Sequence, residues 1–88
     1  MKLQDKVALV TGGGSGIGRA IAQRFAQEGA HVVIVGRKET PLQETAALHE
    51  KISCVVGDIT KTETIENVIR TIDEKFHGQL DVLVNNAG

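Results

Sequence analysis

A chain of 88 residues is long enough for one small domain, in which roughly 60–65% of the unfolded surface can be buried. Its net charge of −1 and its aromatic content of 2% exclude the basic surface with interleaved aromatic residues that is typical of nucleic-acid binding. No apolar run approaches the roughly 20 residues of a membrane helix, and the first residues lack a signal-peptide pattern, so we expect a cytoplasmic protein.

The chain alternates between short apolar runs, which predict buried strands, and segments with helical spacing. The predicted elements in chain order are a strand over Lys6–Val10, a helix over Gly16–Glu28, a strand over His31–Val35, a helix over Pro41–Glu50, a strand over Ile52–Val56, a helix over Lys61–His77 and a strand over Asp81–Asn85. In the first helix, Ile17, Ile21 and Phe25 recur at helical spacing with alanines beside them, which predicts a face that packs closely on a sheet. Gly29 and Gly78 predict helix ends.

Residue pairs typical of helix N-termini precede the second and third helices. Thr40 and Gln43 have the spacing of a capping box, and Pro41 suits the first helical position. Thr60 and Glu63 repeat the capping-box spacing before the third helix, which carries the clearest apolar stripe in the chain.

Side chains that commonly bind metals are scattered. His31, His49 and His77 lie far apart in the sequence without the spacing of zinc ligands, so no metal site is predicted. Cys54 is the single cysteine and stands in an apolar run, which excludes an internal disulfide and predicts a buried free thiol.

The order β-α-β-α-β-α-β predicts the fold class. Apolar strands separated by helices are typical of a parallel sheet covered on both faces. Right-handed crossovers favour the strand order 3-2-1-4, so we predict an α/β, Rossmann-type doubly wound sheet, present in part. The fourth strand is apolar and would lie at an edge, where such strands pair with other chains. We therefore expect the chain to be the first part of a larger protein or to cover this edge by self-association.

A glycine-rich turn follows the first strand and leads directly into the first helix. Thr11, Gly12, Gly16 and Gly18 fit the spacing Thr-Gly-x-x-x-Gly-x-Gly, whereas Gly-x-Gly-x-x-Gly and the P-loop pattern do not fit. A strand, a glycine turn and a helix N-terminus leave backbone N–H groups available for an anion, usually a phosphate. We interpret the turn as the site of a dinucleotide pyrophosphate; the alternative is a plain tight turn.

Three further motifs accompany this turn. They are Gly36-Arg37 after the second strand, Gly57-Asp58-Ile59 after the third, and Asp81-Val-Leu-Val-Asn-Asn-Ala-Gly88 through the fourth. With these four motifs in matching order, nearly the whole chain resembles the N-terminal half of a short-chain dehydrogenase/reductase. The resemblance implies a cofactor site formed by Gly12, Gly14, Ser15, Gly16, Ile17, Gly18, Arg37, Asp58, Ile59, Asn85, Ala87 and Gly88.

The end of the second strand bears on the choice of cofactor. An NAD-binding site usually has an acidic residue there, which bonds the ribose 2′-hydroxyl. Here Gly36 carries no charge, and Arg37 with Lys38 suits a 2′-phosphate, so we predict NADP(H) rather than NAD(H). The alternative is that Arg37 is a solvated loop residue. By resemblance, Asp58 bonds the adenine amino group and Ile59 lies alongside the base; otherwise Asp58 caps the next helix.

The resemblance also places Asn85, Ala87 and Gly88 beside the adenosine and ribose, with a purely sheet-bracing role as the alternative. Family members transfer hydride with a serine, a tyrosine and a lysine that follow this turn, and the chain contains no tyrosine. We therefore assign no catalytic residue and predict that the 88-residue chain alone is inactive. The implied parent is an NAD(P)(H)-dependent oxidoreductase of an alcohol or carbonyl substrate, as a homo-oligomer. The alternative function is a stand-alone, non-catalytic dinucleotide-binding module stabilised by self-association.

Overall fold

The apolar runs form a four-stranded parallel sheet with the order β3-β2-β1-β4 in a computed structural model that describes residues 2–14 and 16–86. The elements are β1 (Val7–Thr11), α1 (Gly16–Gln27), β2 (His31–Gly36), α2 (Glu39–Ala46), β3 (Ile52–Val56), α3 (Thr62–Phe76) and β4 (Val82–Asn85). The predicted α/β class and strand order are confirmed.

Strands β1 and β2 form the centre of the sheet and are buried over nearly their whole length. They pair in register from Val7 opposite His31 to Thr11 opposite Val35. Because successive side chains of a strand point to opposite faces, each strand contributes to two cores. One core combines Val10, Val32, Ile34 and Leu42 with residues of α1. The other combines Leu9 and Val33 of the sheet with Val68 and Ile72 of α3. Burial of each of these aliphatic side chains contributes about 1.5–3 kcal/mol.

Helix α1 packs on the sheet through its smallest side chains. Gly18, Ala22 and Ala26 are the buried residues of this helix. Ile17, which was predicted to share the buried face with Ile21 and Phe25, is 70% exposed, so that prediction is wrong for Ile17. The other two are partly buried at the margin of the core. A Cβ added at Gly18 would overlap the Gly12 carbonyl oxygen, so α1 approaches β1 along the stripe of Gly18, Ala22 and Ala26, and Ile17 lies beside this stripe.

Helix α2 differs from its prediction at both ends. It begins at Glu39 and has no side-chain cap hydrogen bond, so the capping box predicted from Thr40 is wrong. The Gln43 amide instead donates to the Glu39 carboxylate over 3.0 Å. The helix ends at Ala46 rather than at Glu50, and Leu48 beyond its end is 47% exposed.

Thr60, the predicted cap of α3, lies in a turn before the helix and bonds to Asp58 instead. The Thr60 hydroxyl and N–H both donate to the Asp58 carboxylate, over 2.6 and 2.9 Å. The helix starts later and without a side-chain cap bond, so the capping box predicted from Thr60 and Glu63 is wrong. At the other end, His77 and Gly78 have positive φ values of 55° and 79°, and Gly78 lies at the helix end as predicted.

Strand β4 lies at one edge of the sheet and is only partly covered. It pairs with β1 from Ala8 opposite Val82 to Thr11 opposite Asn85. Leu83 on this strand is 61% exposed, which confirms the predicted apolar edge.

Single residues complete the comparison with the sequence predictions. Cys54 is a free thiol, but it is half-buried at the margin of the core rather than buried, so that part of its prediction is wrong. The described residues contain no group of His, Cys, Asp and Glu that could hold a metal ion. Within residues 2–14 and 16–86, no helix has the length and apolar character needed to cross a membrane.

Asp81 attaches the start of β4 to β1, which leads to a prediction about acid stability. Its carboxylate accepts from the Gln79 side-chain amide over 2.7 Å and from the Val7 N–H over 2.9 Å, and these bonds lower the pKa of the carboxyl. The stabilisation is therefore complete above the ordinary aspartate pKa of about 3.9 and is lost as pH falls through the lower folded-state value.

Asp81→Asn should accordingly reduce the loss of thermal stability between pH 5 and pH 2, because the asparagine oxygen still accepts and does not titrate. Midpoints of thermal unfolding at several pH values measure this. Asp73→Asn, at an exposed position on α3, is the matched control. Parallel acid profiles of wild type and Asp81→Asn would contradict the assignment.

Candidate functional site

Loops after three neighbouring strands surround a cleft at the carboxyl end of the sheet. Its volume is about 550 Å³, within the range of small-molecule binding sites. Its walls consist of Thr11, Gly12, Gly14, Val35–Lys38, Pro41, Leu42 and Gly57–Thr60. Open parallel sheets bind their ligands outside the carboxyl ends of the strands, so this cleft is the candidate site.

The turn after β1 lies between β2 and α2. Gly12 has a φ of 69°, and its N–H donates to the Val35 carbonyl over 2.8 Å, so this amide extends the sheet and does not serve an anion. Gly13 is buried on β2, where an added Cβ would lie 2.5 Å from the Ile34 Cβ. At Gly14 an added Cβ would lie 3.2 Å from a side chain in the first turn of α2. Glycines thus allow the turn to approach both elements.

Gly16, the first residue of α1, combines a positive φ of 59° with open space. Apart from its chain neighbours and the backbone of its own helix, no atom of the described residues would lie within 4 Å of a Cβ added there. The N–H groups of Gly16, Ile17 and Gly18 lie in the first helical turn, where helix geometry provides no intrahelical acceptor. The helix dipole makes this end partly positive. Open space, donors and positive potential together fit a pyrophosphate.

Gly18 is required for packing. A Cβ added there would overlap the Gly12 carbonyl oxygen and lie 2.8 Å from the Asn86 side-chain nitrogen. The neighbouring Ile17 side chain is exposed. Neither residue lines the cleft. What Ile17 and Gly18 can offer to a phosphate is therefore the N–H groups of the first turn of α1.

The end of β2 carries the positive charges of the cleft. Arg37 and Lys38 are exposed and line it directly after Gly36. A Cβ added at Gly36 would lie 3.3 Å from the Leu42 Cδ2, so a longer side chain would displace the leucine that packs α2 on the sheet. The end of β2 therefore places two cationic side chains at the cleft, and β2 itself carries no carboxylate.

Asp58 supplies the carboxylate of the cleft from the loop after β3. Hydrogen bonds from the Thr60 hydroxyl and N–H lower the pKa of this carboxyl, and the charges of Arg37 and Lys61 lower it further. The group is therefore ionised at neutral pH. Because an ionised carboxylate has about four acceptor sites, Asp58 retains capacity for the amino group of a ligand. Ile59 beside it adds an apolar surface to the same wall.

A hydrogen-bond network joins the ends of β1 and β4 behind the cleft. The Thr11 hydroxyl donates to the Asn85 side-chain oxygen over 3.1 Å and accepts from the Asn86 N–H over 2.9 Å. The Asn86 side chain reaches the Gly12 carbonyl at 3.4 Å. Asn85 does not line the cleft, and its observed contacts brace the sheet.

Arg19 and Thr45 were not singled out from the sequence, yet they contact the turn. Arg19 donates to the Gly14 carbonyl over 2.7 Å and to the Thr45 hydroxyl over 2.8 Å. Thr45 is fully buried. Its position one helical turn after the buried Leu42 was a usable signal, since it places a polar residue on the apolar face of α2. The sequence carried no comparable signal for Arg19.

The structure brings five of the predicted site residues to the walls of the cleft: Gly12, Gly14, Arg37, Asp58 and Ile59. Gly16, Ile17 and Gly18 form the first turn of α1, and Asn85 lies at the end of β4. Ser15, Ala87 and Gly88 were also predicted and lie outside the described residues.

Comparison with known proteins gives a consistent family. The family model for short chain dehydrogenases matches residues 6–88. An uncharacterised oxidoreductase of Staphylococcus epidermidis is 42% identical over 88 residues, which are 99% of this chain and 38% of that protein. A similar oxidoreductase of Staphylococcus aureus is 43% identical over 98% of this chain. The chain therefore spans about 38% of the length of the curated relatives it matches.

Solved structures show the same likeness. Glucose dehydrogenase of Caenorhabditis elegans in its apo form superposes with a TM-score of 0.92 at 41% identity, over 100% of this chain and 40% of that one. L-Sorbose reductase of Gluconobacter frateurii, complexed with NADPH and L-sorbose, superposes with a TM-score of 0.88 at 43% identity, over 100% of this chain and 36% of that one.

Proposed function

The chain belongs to the short-chain dehydrogenase family, and we propose from that premise that its cleft binds the dinucleotide NADP(H). The observation that carries the proposal is Gly16, whose positive φ and open surroundings adjoin the donors of the first turn of α1. The pyrophosphate would accept hydrogen bonds from that turn. The adenosine would occupy the cleft at the ends of β2 and β3, with Asp58 accepting from the adenine amino group and Ile59 against the base.

The preference for NADP(H) over NAD(H) rests on charge. Arg37 and Lys38 are exposed at the end of β2, where an acidic residue would bond the 2′-hydroxyl of NAD(H). A guanidinium matches a phosphate in charge and in bidentate geometry. The NADPH bound to the L-sorbose reductase agrees with this assignment, since that protein is 43% identical to this chain.

For the parent we propose an oxidoreductase whose nicotinamide cofactor exchanges hydride with an alcohol or carbonyl substrate. In this proposal residues 1–88 form the N-terminal, cofactor-binding part of the domain, with Ser15, Ala87 and Gly88 at the cofactor as well. The catalytic serine, tyrosine and lysine are supplied by other segments, so the chain alone has no turnover. We place the parent in the cytoplasm as a homo-oligomer.

One observation favours a second candidate, a non-catalytic dinucleotide-binding module that self-associates. Leu83 is 61% exposed on the edge strand β4, and such strands pair with further chains. Sedimentation of the 88-residue chain distinguishes the two. A dimer or larger assembly that binds NADPH supports the module, whereas a monomer supports the cofactor-binding part of a larger enzyme.

Calorimetric titration of the chain with NADPH and with NADH tests the proposal directly. We expect NADPH to bind at least about tenfold more tightly, since a charge-assisted hydrogen bond contributes about 1.5–3 kcal/mol. The absence of binding by either dinucleotide would contradict the proposed function, and equal dissociation constants would contradict the NADP(H) preference alone.

Arg37→Asp should remove most of that preference. The substitution places a carboxylate near the 2′ position, so NADPH affinity should fall at least about tenfold while NADH affinity is retained or improved. Arg70→Asp makes the same charge change on α3, away from the cleft, and is the matched control. An unchanged ratio of the two dissociation constants in Arg37→Asp would show that Arg37 does not contact the 2′-phosphate.

A further inference from the structure

Arg19 connects separate parts of the site although it does not line the cleft. Its Nε donates to the Thr45 hydroxyl over 2.8 Å, and its Nη2 donates to the Gly14 carbonyl over 2.7 Å. A longer contact of 3.3 Å reaches the Pro41 carbonyl in the first turn of α2. One side chain of α1 therefore holds the glycine turn against α2. We call this group the Arg19 clasp: Arg19, Thr45 and the carbonyls of Gly14 and Pro41.

Thr45 completes the clasp from a fully buried position. Its hydroxyl accepts from Arg19 and lies 3.1 Å from the Pro41 carbonyl and 3.4 Å from the Gly14 carbonyl, to either of which it can donate. A buried hydroxyl is unfavourable unless it is hydrogen-bonded. The Pro41 carbonyl within α2 offers an acceptor for the hydroxyl proton, and Arg19 adds a donor to the hydroxyl oxygen from α1.

The ion pair of Arg19 with Glu44 does not account for this arrangement. Its atoms are 3.4 Å apart, and the Glu44 side chain is 63% exposed. Exposed pairs of this kind contribute little, because solvent screens them. The short contacts of Arg19 are those to the Gly14 carbonyl and the Thr45 hydroxyl, which are both neutral acceptors.

We propose that the Arg19 clasp is a positioning device that sets the distance between the pyrophosphate-binding turn and the 2′-phosphate-binding residues. The inference rests on the proposed function. Gly14 belongs to the turn, and Pro41 belongs to the helix that directly follows Arg37 and Lys38. A ligand that contacts both parts, such as NADPH, needs them at a fixed separation. Adenosine 2′-monophosphate has no pyrophosphate and would contact only the loops after β2 and β3, so it does not depend on that separation.

The test compares the affinities of NADPH and adenosine 2′-monophosphate in clasp variants. Arg19→Gln should lower the affinity for NADPH at least about tenfold and the affinity for adenosine 2′-monophosphate less than about threefold. Thr45→Val should also lower the NADPH affinity, whereas Thr45→Ser, which keeps the hydroxyl, should bind NADPH like wild type. The double variant Arg19→Gln/Thr45→Val should lose little more NADPH affinity than Arg19→Gln alone. Arg24→Gln removes another arginine of α1, one that pairs with Glu28, and is the matched control.

Hydrogen exchange of the arginine side chains gives a readout that needs neither a ligand nor a variant. The Arg19 Nε–H should exchange more slowly than the Arg24 Nε–H, since the Arg24 side chain is 70% exposed. Equal exchange rates would show that the clasp does not form. If Arg19→Gln lowered the affinities for NADPH and adenosine 2′-monophosphate equally, or lowered neither, the positioning role would be overturned. If the wild-type chain binds no dinucleotide, the proposed function fails first and the inference falls with it.

Discussion

Gly16→Val is expected to weaken NADPH binding at least about thirtyfold, or about 2 kcal/mol, in a chain that remains folded. The open space at this position supports the expected loss of affinity, and its backbone conformation adds a separate loss of stability. The open space around a Cβ at Gly16 is the volume in which we propose the pyrophosphate lies, and a branched side chain would fill it. The φ of 59° adds a conformational penalty of about 1–2 kcal/mol for a residue other than glycine.

Gly78→Ala separates these two effects. Gly78 also has a positive φ, of 79°, but it lies at the end of α3, away from the cleft. We expect Gly78→Ala to lose stability to a similar extent as Gly16→Ala while keeping wild-type affinity for NADPH. Calorimetric titration and thermal unfolding of the three variants measure both quantities. A folded Gly16→Val chain with wild-type affinity would place the pyrophosphate elsewhere.

Gly18→Ala is expected to destabilise the fold by about 3 kcal/mol, near the upper limit for overpacking. The added methyl group would overlap the Gly12 carbonyl oxygen, which belongs to the backbone and cannot turn aside. Helix α1 would have to move away from β1 and uncover the core that Ala22 and Ala26 complete. A domain of this size has a total stability of about 4–13 kcal/mol, so a large part of it would be lost.

The free energy of unfolding in urea gives the size of this effect. Gly14→Ala is the comparison, because its added Cβ would lie 3.2 Å from the Pro41 Cβ, a contact that small shifts relieve. We expect its loss to be less than half that of Gly18→Ala. A Gly18→Ala chain as stable as wild type would mean that α1 does not approach β1 as closely as the structure has it.

The sheet was predictable because its strands are short apolar runs bounded by glycines and polar turns. β1 and β2 are buried on both faces, so their sequences need no alternation and stand out from the helices. The strand order followed from the handedness of the crossovers rather than from any single residue. The cleft followed in turn, since the loops after β1, β2 and β3 necessarily meet at one edge of such a sheet.

What the sequence did not predict depends on competition between neighbours. The Thr60 hydroxyl could cap α3 or bond the Asp58 carboxylate, and the spacing alone favoured the cap. The isoleucines and small residues of α1 share helical spacing, so the pattern did not show that only the small ones fit against β1. Arg19 was invisible for a further reason, because its acceptors Gly14 and Thr45 come together only once α2 has folded over the turn.

The pairing of β1 with β4 has a consequence for how the chain is made. The Val7 N–H donates to the Asp81 carboxylate, which follows 74 residues later, so at synthesis rates of about 5–20 residues per second a ribosome needs roughly 4–15 s to deliver the partner of β1. During that interval β1, β2 and β3 can assemble with one flank of β1 open. Until β4 arrives, the unpaired N–H and C=O groups on that flank are available to other extended segments.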